Sequence, residues 1–168
     1  KLPGLFGRMS VGSILVVGTG SWVDVDGDTP TYSYQWKRSG TDIGTNTNRY
    51  TLTAADAHSD IAVIITANDG MGGSTKASTM ARTVSNSVPV NTSPPVISGI
   101  AAVGQTLTTT IGAWLDADGD TLTFSYHWMA DGVDIGDAVT VQSHSFTLTT
   151  AVAGKAISVV VLAKDGNG

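Results

Sequence analysis

Residues 22–36 read WVDVDGDTPTYSYQW, and residues 114–128 repeat the stretch as WLDADGDTLTFSYHW. Each copy holds three aspartates around a glycine, and then a segment in which aromatic and polar residues alternate up to a tryptophan. Alternation with a period of two is typical of a β-strand with one buried face, and an Asp-rich segment with glycine is typical of a turn. The stretch therefore predicts a turn that leads into a half-buried strand, used twice in one chain.

The repetition extends over most of the chain. Residues 3–44 align with residues 95–136, and after a four-residue insertion in the second copy residues 50–72 align with residues 146–168. About half of the roughly 65 aligned positions are identical. Self-similarity of this kind indicates that one structural unit has been duplicated.

A segment rich in Ser, Asn and Pro separates the two copies, with the sequence VSNSVPVNTSPPV at residues 84–96. Proline cannot donate a backbone hydrogen bond to a sheet and stiffens an extended chain, so we expect a short, semi-rigid connector here. The predicted division is a first repeat at residues 1–85, a linker at residues 86–94 and a second repeat at residues 95–168.

The composition favours strands and turns over helices. All 14 acidic residues are aspartates, and the chain contains 20 glycines. Glutamate and leucine favour helices, whereas Asp, Asn, Gly and Thr favour turns and strands. A hydrophobic share of 41% is enough for packed cores, but no apolar run approaches the ~20 residues that span a bilayer. The composition therefore predicts an all-β protein without membrane insertion.

Charge and cysteine content exclude further classes of function. The net charge is −5, and the nine basic residues are scattered along the chain. A nucleic-acid-binding protein needs clustered Lys and Arg to contact phosphates, so we expect no nucleic-acid partner. Cysteine is absent, which leaves neither a disulfide nor a thiolate metal site.

Alternating apolar residues mark the strands of each copy. Tyr32, Tyr34 and Trp36 share one face of a strand, and short strands at this spacing, with a tryptophan about a third of the way into each copy, predict a Greek-key β-sandwich. The other predicted core residues of the first copy are Leu15, Val17, Tyr50, Leu52, Ile61, Val63, Ile65 and Ala67. Those of the second copy are Leu107, Thr109, Phe124, Tyr126, Trp128, Phe146, Leu148, Ile157, Val159, Val161 and Ala163.

The pattern VGQTLT…GAWLDADGDTLTFSYHW…DGVDIG…FTLT…ISVVVLAKDG, which runs from residue 103 to residue 166, resembles the immunoglobulin-like repeats of large bacterial surface proteins and of phage virions. The resemblance covers nearly the whole chain. It implies two tandem immunoglobulin-like Greek-key β-sandwiches, whose cores would hold by packing alone because the cysteine pair of antibody domains is missing. Such repeats occur in very different proteins, so the resemblance implies a fold but no single function.

The second copy is shorter than the first on its C-terminal side. The first copy continues after its Asp-Gly turn with STKASTMARTV at residues 74–84, whereas the second copy ends at Gly168, where that strand would begin. The second sandwich is therefore expected to lack its last strand in this segment and to have an unpaired edge beside residues 157–163. We expect the sequence to be part of a longer protein that continues, or a neighbouring subunit to supply the strand.

The two acidic loops of each copy are candidate cation sites. In the predicted sandwich, the DxDGD loop and the later Asp-Gly turn lie at the same end, and calcium takes about six to eight oxygen ligands of the kind that they carry. The same residues also make a plain turn, because Asp accepts hydrogen bonds from nearby backbone N–H groups and Gly permits positive φ. The candidate calcium ligands are Asp24, Asp26, Asp28 and Asp69 in the first copy, and Asp116, Asp118, Asp120 and Asp165 in the second.

Four tryptophans bracket these loops. Trp36 and Trp128 are expected in the two cores, because each lies on the apolar face of its strand. Trp22 and Trp114 directly precede the acidic loops, where they either cap the end of the sandwich or offer a flat surface on which a sugar stacks. The sequence leaves both roles open.

No catalytic motif is recognised. H-E-x-x-H, G-x-S-x-G and phosphate-binding glycine loops do not occur. His58 and His127 have no histidine counterpart in the other copy, and His144 lies in the insertion. His127 alternates with the core aromatics, so it is expected to point away from the core. We therefore expect no enzymatic activity and assign no catalytic residue.

These observations favour a structural module of a surface-exposed protein, serving as stalk, spacer or decoration in an extracellular, cell-surface or virion-surface location. The resemblance implies either a phage tail, fibre or capsid component, which we favour slightly, or a bacterial adhesin. The partners would be neighbouring immunoglobulin-like repeats or subunits of the same assembly. One alternative is a module that binds a surface glycan or a host receptor, with Ca²⁺ as its stabilising ion. The other is an accessory domain of an enzyme.

Overall fold

The computed structural model describes residues 1–135 and 144–167, which form antiparallel β-sheets and short 3₁₀ turns. The predicted all-β class is confirmed. The chain divides into two compact units, Lys1–Ser87 and Val88–Gly168. Most of the region that holds the insertion of the second copy, residues 136–143, lies outside the described residues. No helix in the described part of the chain is long and apolar enough to cross a membrane.

One sheet of the first unit consists of β1 (Gly4–Phe6), β2 (Ile14–Gly18) and β5 (Arg49–Thr51). β2 lies in the middle, with Leu5 opposite Val17 on one side and Leu15 opposite Tyr50 on the other. Leu15 and Val17 are buried, whereas Ile14, the first residue of the strand, points to the opposite face and is exposed. The predicted core face of this strand is therefore confirmed.

The second sheet of the first unit consists of β3 (Thr31–Arg38), β4 (Thr41–Ile43), β6 (Asp60–Asn68), β7 (Ser74–Ser78) and β8 (Arg82–Thr83). The strand order is β4–β3–β6–β7, and β8 pairs with the first residues of β6. β3 and β6 pair along nearly their whole length, from Thr31 opposite Asn68 to Arg38 opposite Ile61. The β-branched residues of β6 suit this central, buried position.

The two sheets of the first unit enclose one hydrophobic core. Trp36 from β3 and the alternate residues Ile61, Val63 and Ile65 from β6 are fully buried together with Leu15 from β2. The core therefore contains residues from both sheets, and this arrangement is consistent with a β-sandwich.

A buried carboxylate links the two sheets at one edge of this core. Asp56, at the end of a 3₁₀ turn (Ala54–Asp56), is fully buried. It accepts hydrogen bonds from Arg38 of β3 at 3.2 Å and from the Tyr50 hydroxyl of β5 at 2.9 Å. The N–H and the hydroxyl of Thr53 donate to the same carboxylate, both at 2.8 Å. Sequence reasoning did not single out this network.

The second unit repeats most of these pairings. One sheet consists, in spatial order, of β10 (Ile97–Ser98), β11 (Thr106–Thr109) and β15 (Ser145–Thr147). A second sheet consists, in spatial order, of β14 (Val133–Asp134), β13 (Thr123–Ala130) and β16 (Ile157–Lys164). β13 pairs with β16 in the register of β3 with β6. Leu107, Trp128 and Leu148 form the centre of its core. Within the described residues, β16 is an edge strand, whereas β6 has neighbours on both sides.

Part of the predicted linker belongs to the second unit. Residues 90–93 form β9 (Val90–Ser93), which pairs with β12 (Ala113–Leu115) and places Ser93 opposite Ala113. Gly112 has a φ of 76°, and a Cβ at this position would overlap the carbonyl oxygen of Ser93. A glycine is therefore needed at residue 112, where the backbone just before β12 lies against the end of β9.

Candidate functional site

The DxDGD loop of the first unit is an aspartate-centred turn. Oδ1 of Asp24 accepts hydrogen bonds from the N–H groups of Asp26, Gly27 and Asp28, at 2.9, 3.1 and 3.3 Å. Gly27 has a φ of 88°, a conformation that favours glycine. The side chains of Asp26 and Asp28 are exposed. One oxygen of Asp24 therefore shapes the turn, as the simpler sequence interpretation expects.

The Asp69 loop is built in the same way and lies beside the first. Oδ1 of Asp69 accepts hydrogen bonds from the N–H groups of Met71 at 2.7 Å and Gly73 at 3.0 Å. Asp24 and Asp69 line one cleft of about 280 Å³. Of the four candidate ligands in the first copy, the structure brings these two to the same cleft, whereas Asp26 and Asp28 do not line it.

Trp22 forms a wall of this cleft. Its Nε1 donates to the carbonyl of Thr19 at 2.8 Å, and its ring centre lies 6.0 Å from that of Tyr32. The half-buried indole is thus held in place, with one side against the core of the first unit and another facing the cleft. Ser74 and Thr75, at the start of β7, also line the cleft. Trp22 therefore has the surroundings of both roles that the sequence left open.

In the second unit, a hydrogen bond joins the two acidic loops. Oδ1 of Asp116 accepts hydrogen bonds from the N–H groups of Asp118 at 2.8 Å and Asp120 at 3.5 Å. Asn167 donates from Nδ2 to Oδ2 of Asp120 at 2.9 Å and from its backbone N–H to Oδ1 of Asp165 at 2.8 Å. The loops at residues 116–120 and 165–167 therefore meet at one end of the unit.

A carboxylate oxygen of Asp116 has an unusual environment. Its Oδ2 is buried and has no hydrogen-bond partner within the described part of the chain. Burying such an oxygen unpaired costs free energy, which a bound cation would offset. Asp165, in the neighbouring turn of the same unit, is also buried. Carboxylates are the oxygen ligands that calcium prefers, so the second unit offers the better candidate cation site.

We expect calcium to stabilise the second unit. A site with a dissociation constant of ~1 mM, typical of extracellular calcium modules, contributes ~1.4 kcal/mol at ~10 mM calcium, which corresponds to a rise of about 6–11 °C in the melting temperature of the second unit. Differential scanning calorimetry with calcium and with a chelator measures this difference directly.

The aligned aspartate of the first unit supplies the control. Asp116→Asn keeps an oxygen that accepts the two turn hydrogen bonds but removes the charge, so it should abolish the calcium effect. Asp24→Asn makes the same change in the first unit and should leave the effect intact. If calcium leaves the melting temperature of the unaltered chain unchanged, the site does not bind calcium.

The histidines lie in strand and turn positions. Nδ1 of His127, on β13, is 3.2 Å from Oδ2 of Asp134 on β14, and the neighbouring Trp128 points into the core. This places His127 on the face opposite the core, as its alternation predicts. The ring of His144 lies 6.5 Å from that of Tyr126, and His58 occupies a turn with a φ of 58°.

Sequence reasoning missed two walls of the cleft, Ser74 and Thr75. The two hydroxyl residues directly follow the NDGMGG turn, and in the sequence they read only as the beginning of a strand. Their position beside Trp22 follows from the pairing of β7 with β6, where Thr75 lies opposite Ala67.

A scan against models of known protein families and a search of the curated proteins found no match to this chain.

Proposed function

We propose that this chain is a non-catalytic structural module made of two tandem immunoglobulin-like β-sandwiches. It serves as stalk, spacer or decoration in a surface-exposed protein of a virion or a cell. A phage tail, fibre or capsid component is the favoured setting, and a bacterial adhesin is the other. Its partners are neighbouring repeats or subunits of the same assembly.

The duplication is the observation that carries this proposal. β3 pairs with β6 in the first unit as β13 pairs with β16 in the second, residue for aligned residue. Trp36 and Trp128 are fully buried at the aligned positions. Repeating a unit in series adds length and surface to a protein. The identical residues of the two copies include the core tryptophan and the Asp and Gly residues of the turns. This pattern of shared residues favours a mechanical or architectural role over catalysis.

The cleft beside Trp22 supports a second candidate, the binding of a surface glycan. An indole face stacks on the apolar face of a sugar ring, and carboxylates and hydroxyls exchange hydrogen bonds with its hydroxyl groups. The cleft brings these groups together in Trp22, Asp24, Asp69, Ser74 and Thr75. A glycan-binding module would therefore use the end loops of the first unit.

A glycan array separates the two candidates. A spacer should show no saturable binding with the purified 168-residue chain. A glycan-binding module should bind at least one glycan saturably, and Trp22→Ala should weaken that binding by about tenfold or more, since the loss of one aromatic stacking surface costs ~1.4 kcal/mol or more.

Trp114→Ala is the matched control, because Trp114 is the aligned residue of the second unit and its Nε1 also donates to a backbone carbonyl, that of Ile111. The Trp114 variant should keep any binding that the Trp22 cleft provides. Saturable binding that survives in the Trp22 variant would place the ligand elsewhere, and any saturable binding by the unaltered chain counts against a pure spacer.

A further inference from the structure

The cleft beside Trp22 carries negative charge that the described part of the chain does not neutralise. Asp24 and Asp69 line it, and no described Lys, Arg or His contributes to its lining. Neither aspartate forms an ion pair with another described residue. Two carboxylates in one cleft repel each other, and a positively charged ligand would relieve that repulsion. The charge of the cleft therefore favours a cationic ligand.

Each of the two carboxylates keeps one oxygen for a ligand. The N–H groups of both turns donate to Oδ1 of Asp24 and to Oδ1 of Asp69. Within the described residues, neither Oδ2 accepts a hydrogen bond. Gly73 also lines the cleft, and a Cβ at this position would overlap Oδ2 of Asp69. The φ of Gly73 is not positive, so glycine is needed here for the space that the carboxylate occupies and not for the backbone conformation.

A metal ion suits this cleft less well than an organic cation does. Calcium takes about six to eight oxygen ligands, and two carboxylate oxygens supply only a small part of them. Asp26 and Asp28, the other acidic residues of the loop, do not line the cleft. Its remaining walls include the side chains of Trp22 and Val23, which offer no oxygen ligand.

Trp22 and Val23 give the cleft an apolar side. A hydrogen bond from Nε1 to the carbonyl of Thr19 holds the half-buried indole of Trp22 in place, and Val23 is 93% exposed beside it. An ammonium group is attracted to the face of an indole, and the CH groups that carry it pack against the same surface. The combination of an indole with two carboxylates therefore favours an ammonium group on a compact carbon ring.

The size and the polar lining of the cleft suit one sugar ring. A volume of about 280 Å³ lies just below the range of roughly 300–1,000 Å³ that drug-sized ligands occupy, so the cleft holds a smaller group. Ser74 and Thr75 line the cleft as well, and residues of this type exchange hydrogen bonds with sugar hydroxyl groups.

We propose that this cleft binds an amino sugar whose amine is free and protonated. The ammonium group lies at Asp24 and Asp69, and the sugar ring lies against Trp22. The proposal rests on the second candidate function, the binding of a surface glycan, and specifies its ligand class. The ligand is a cationic glycan with unacetylated amino groups.

Isothermal titration calorimetry tests the proposal with two oligosaccharides that differ only at the amine. A short oligomer of glucosamine carries ammonium groups at about pH 6, whereas the N-acetylglucosamine oligomer of the same length and linkage is neutral. The glucosamine oligomer should bind the purified chain saturably and at least about tenfold more tightly, because acetylation removes the ion pairs and the cation–π contact. Raising sodium chloride from about 0.05 M to about 0.5 M should weaken the binding of this oligomer alone.

The outcomes separate this proposal from the glycan-binding candidate. Equal binding of the two oligomers would leave a glycan site and would contradict the ammonium site. Saturable binding of neither oligomer would overturn both the amino-sugar proposal and the glycan-binding candidate. The titrations contain a chelator, and binding that appears only when calcium replaces the chelator would show that a metal ion, and not an ammonium group, meets the two aspartates.

Two variants locate the ammonium group. Asp24→Asn and Asp69→Asn each keep an oxygen that accepts the turn hydrogen bonds but remove one charge from the cleft. Each should weaken glucosamine binding about three- to tenfold and leave N-acetylglucosamine binding little changed. Asp26→Asn is the matched control, because it removes the same charge from an exposed side chain of the same loop that does not line the cleft. An equal loss in the Asp26 variant would show a general effect of net charge and would overturn the assignment.

Choline, an ammonium ion without a sugar ring, tests the contribution of the sugar. It should bind at least about tenfold more weakly than the glucosamine oligomer, because it lacks the ring hydroxyl groups that pair with the polar lining. Choline binding as tight as that of the oligomer would show that the cleft recognises ammonium groups in general, and would contradict an amino sugar as its ligand.

Discussion

Asp56→Val should destabilise the first unit by about 3 kcal/mol, because the change breaks a buried hydrogen-bonded network around a carboxylate. Valine accepts no hydrogen bond, so the Tyr50 hydroxyl and the Thr53 N–H lose their buried acceptor. Arg38 is partly exposed and can turn toward water, which keeps the loss below that of a fully buried ion pair. Urea denaturation, followed through NMR signals of the first unit, gives the free energy of unfolding.

The second unit shows which changes compensate for this loss. The positions aligned with Arg38, Tyr50 and Asp56 hold three apolar residues that pack in or against the second core: Ala130, Phe146 and Val152. Replacing a buried polar network as a whole is often close to neutral. The triple variant Arg38→Ala, Tyr50→Phe, Asp56→Val should therefore recover most of the lost stability. A triple variant no more stable than the single one would contradict this interpretation.

The same network gives the Asp56→Val effect a pH dependence. Burial by itself would raise the pKa of the Asp56 carboxyl, but hydrogen bonds from Thr53, Tyr50 and Arg38 outweigh burial and hold the pKa below its usual 3.8. A carboxyl with a lowered pKa in the folded state contributes stability above its unfolded pKa and loses it as the pH falls through the folded value. The destabilisation by Asp56→Val should therefore be full at neutral pH and shrink below about pH 4.

Trp36→Ala should destabilise the first unit by about 4 kcal/mol, the usual range for truncating a large core side chain. Trp36 is fully buried, and its ring centre lies 5.3 Å from that of Tyr50 in the facing sheet. Its Nε1 donates to the carbonyl of Thr47 at 2.8 Å. The change therefore leaves a cavity in the centre of the core and a carbonyl without its donor, and denaturation experiments measure the loss.

Trp22→Ala is the matched comparison within the same unit. Trp22 is half-buried at the rim of the core, so its truncation should cost only about 1–2 kcal/mol. A loss as large as that of Trp36→Ala would show that Trp22, and not Trp36 alone, supports the centre of the fold.

The buried strand faces were predictable because alternation is a local property of the sequence. Leu15 and Val17, and likewise Ile61 and Val63, lie inside as their period of two indicates. A strand sends successive side chains to opposite faces whatever its neighbours are, so the pattern reports the buried face without knowledge of the partner strand. The linker was harder to predict, because its prolines concealed the short strand at Val90–Ser93.

The acidic loops were predictable as turns, but their chemistry was not. The pattern of Asp and Gly indicates a turn, and Asp24 and Asp116 each use Oδ1 to form one. Which carboxylate oxygen is buried without a partner is decided by the packing around the loop. That packing brings residues 116–120 to residues 165–167, which lie far apart in the chain.

By itself, the sequence determined the duplication, the all-β class and the buried face of the main strands, because these depend on composition and on local periodicity. Only the tertiary structure decided that Asp56 is buried and that Asp24 and Asp69 share a cleft with Trp22. Each of these features requires segments distant in the chain to meet, and no local pattern specifies which of them do.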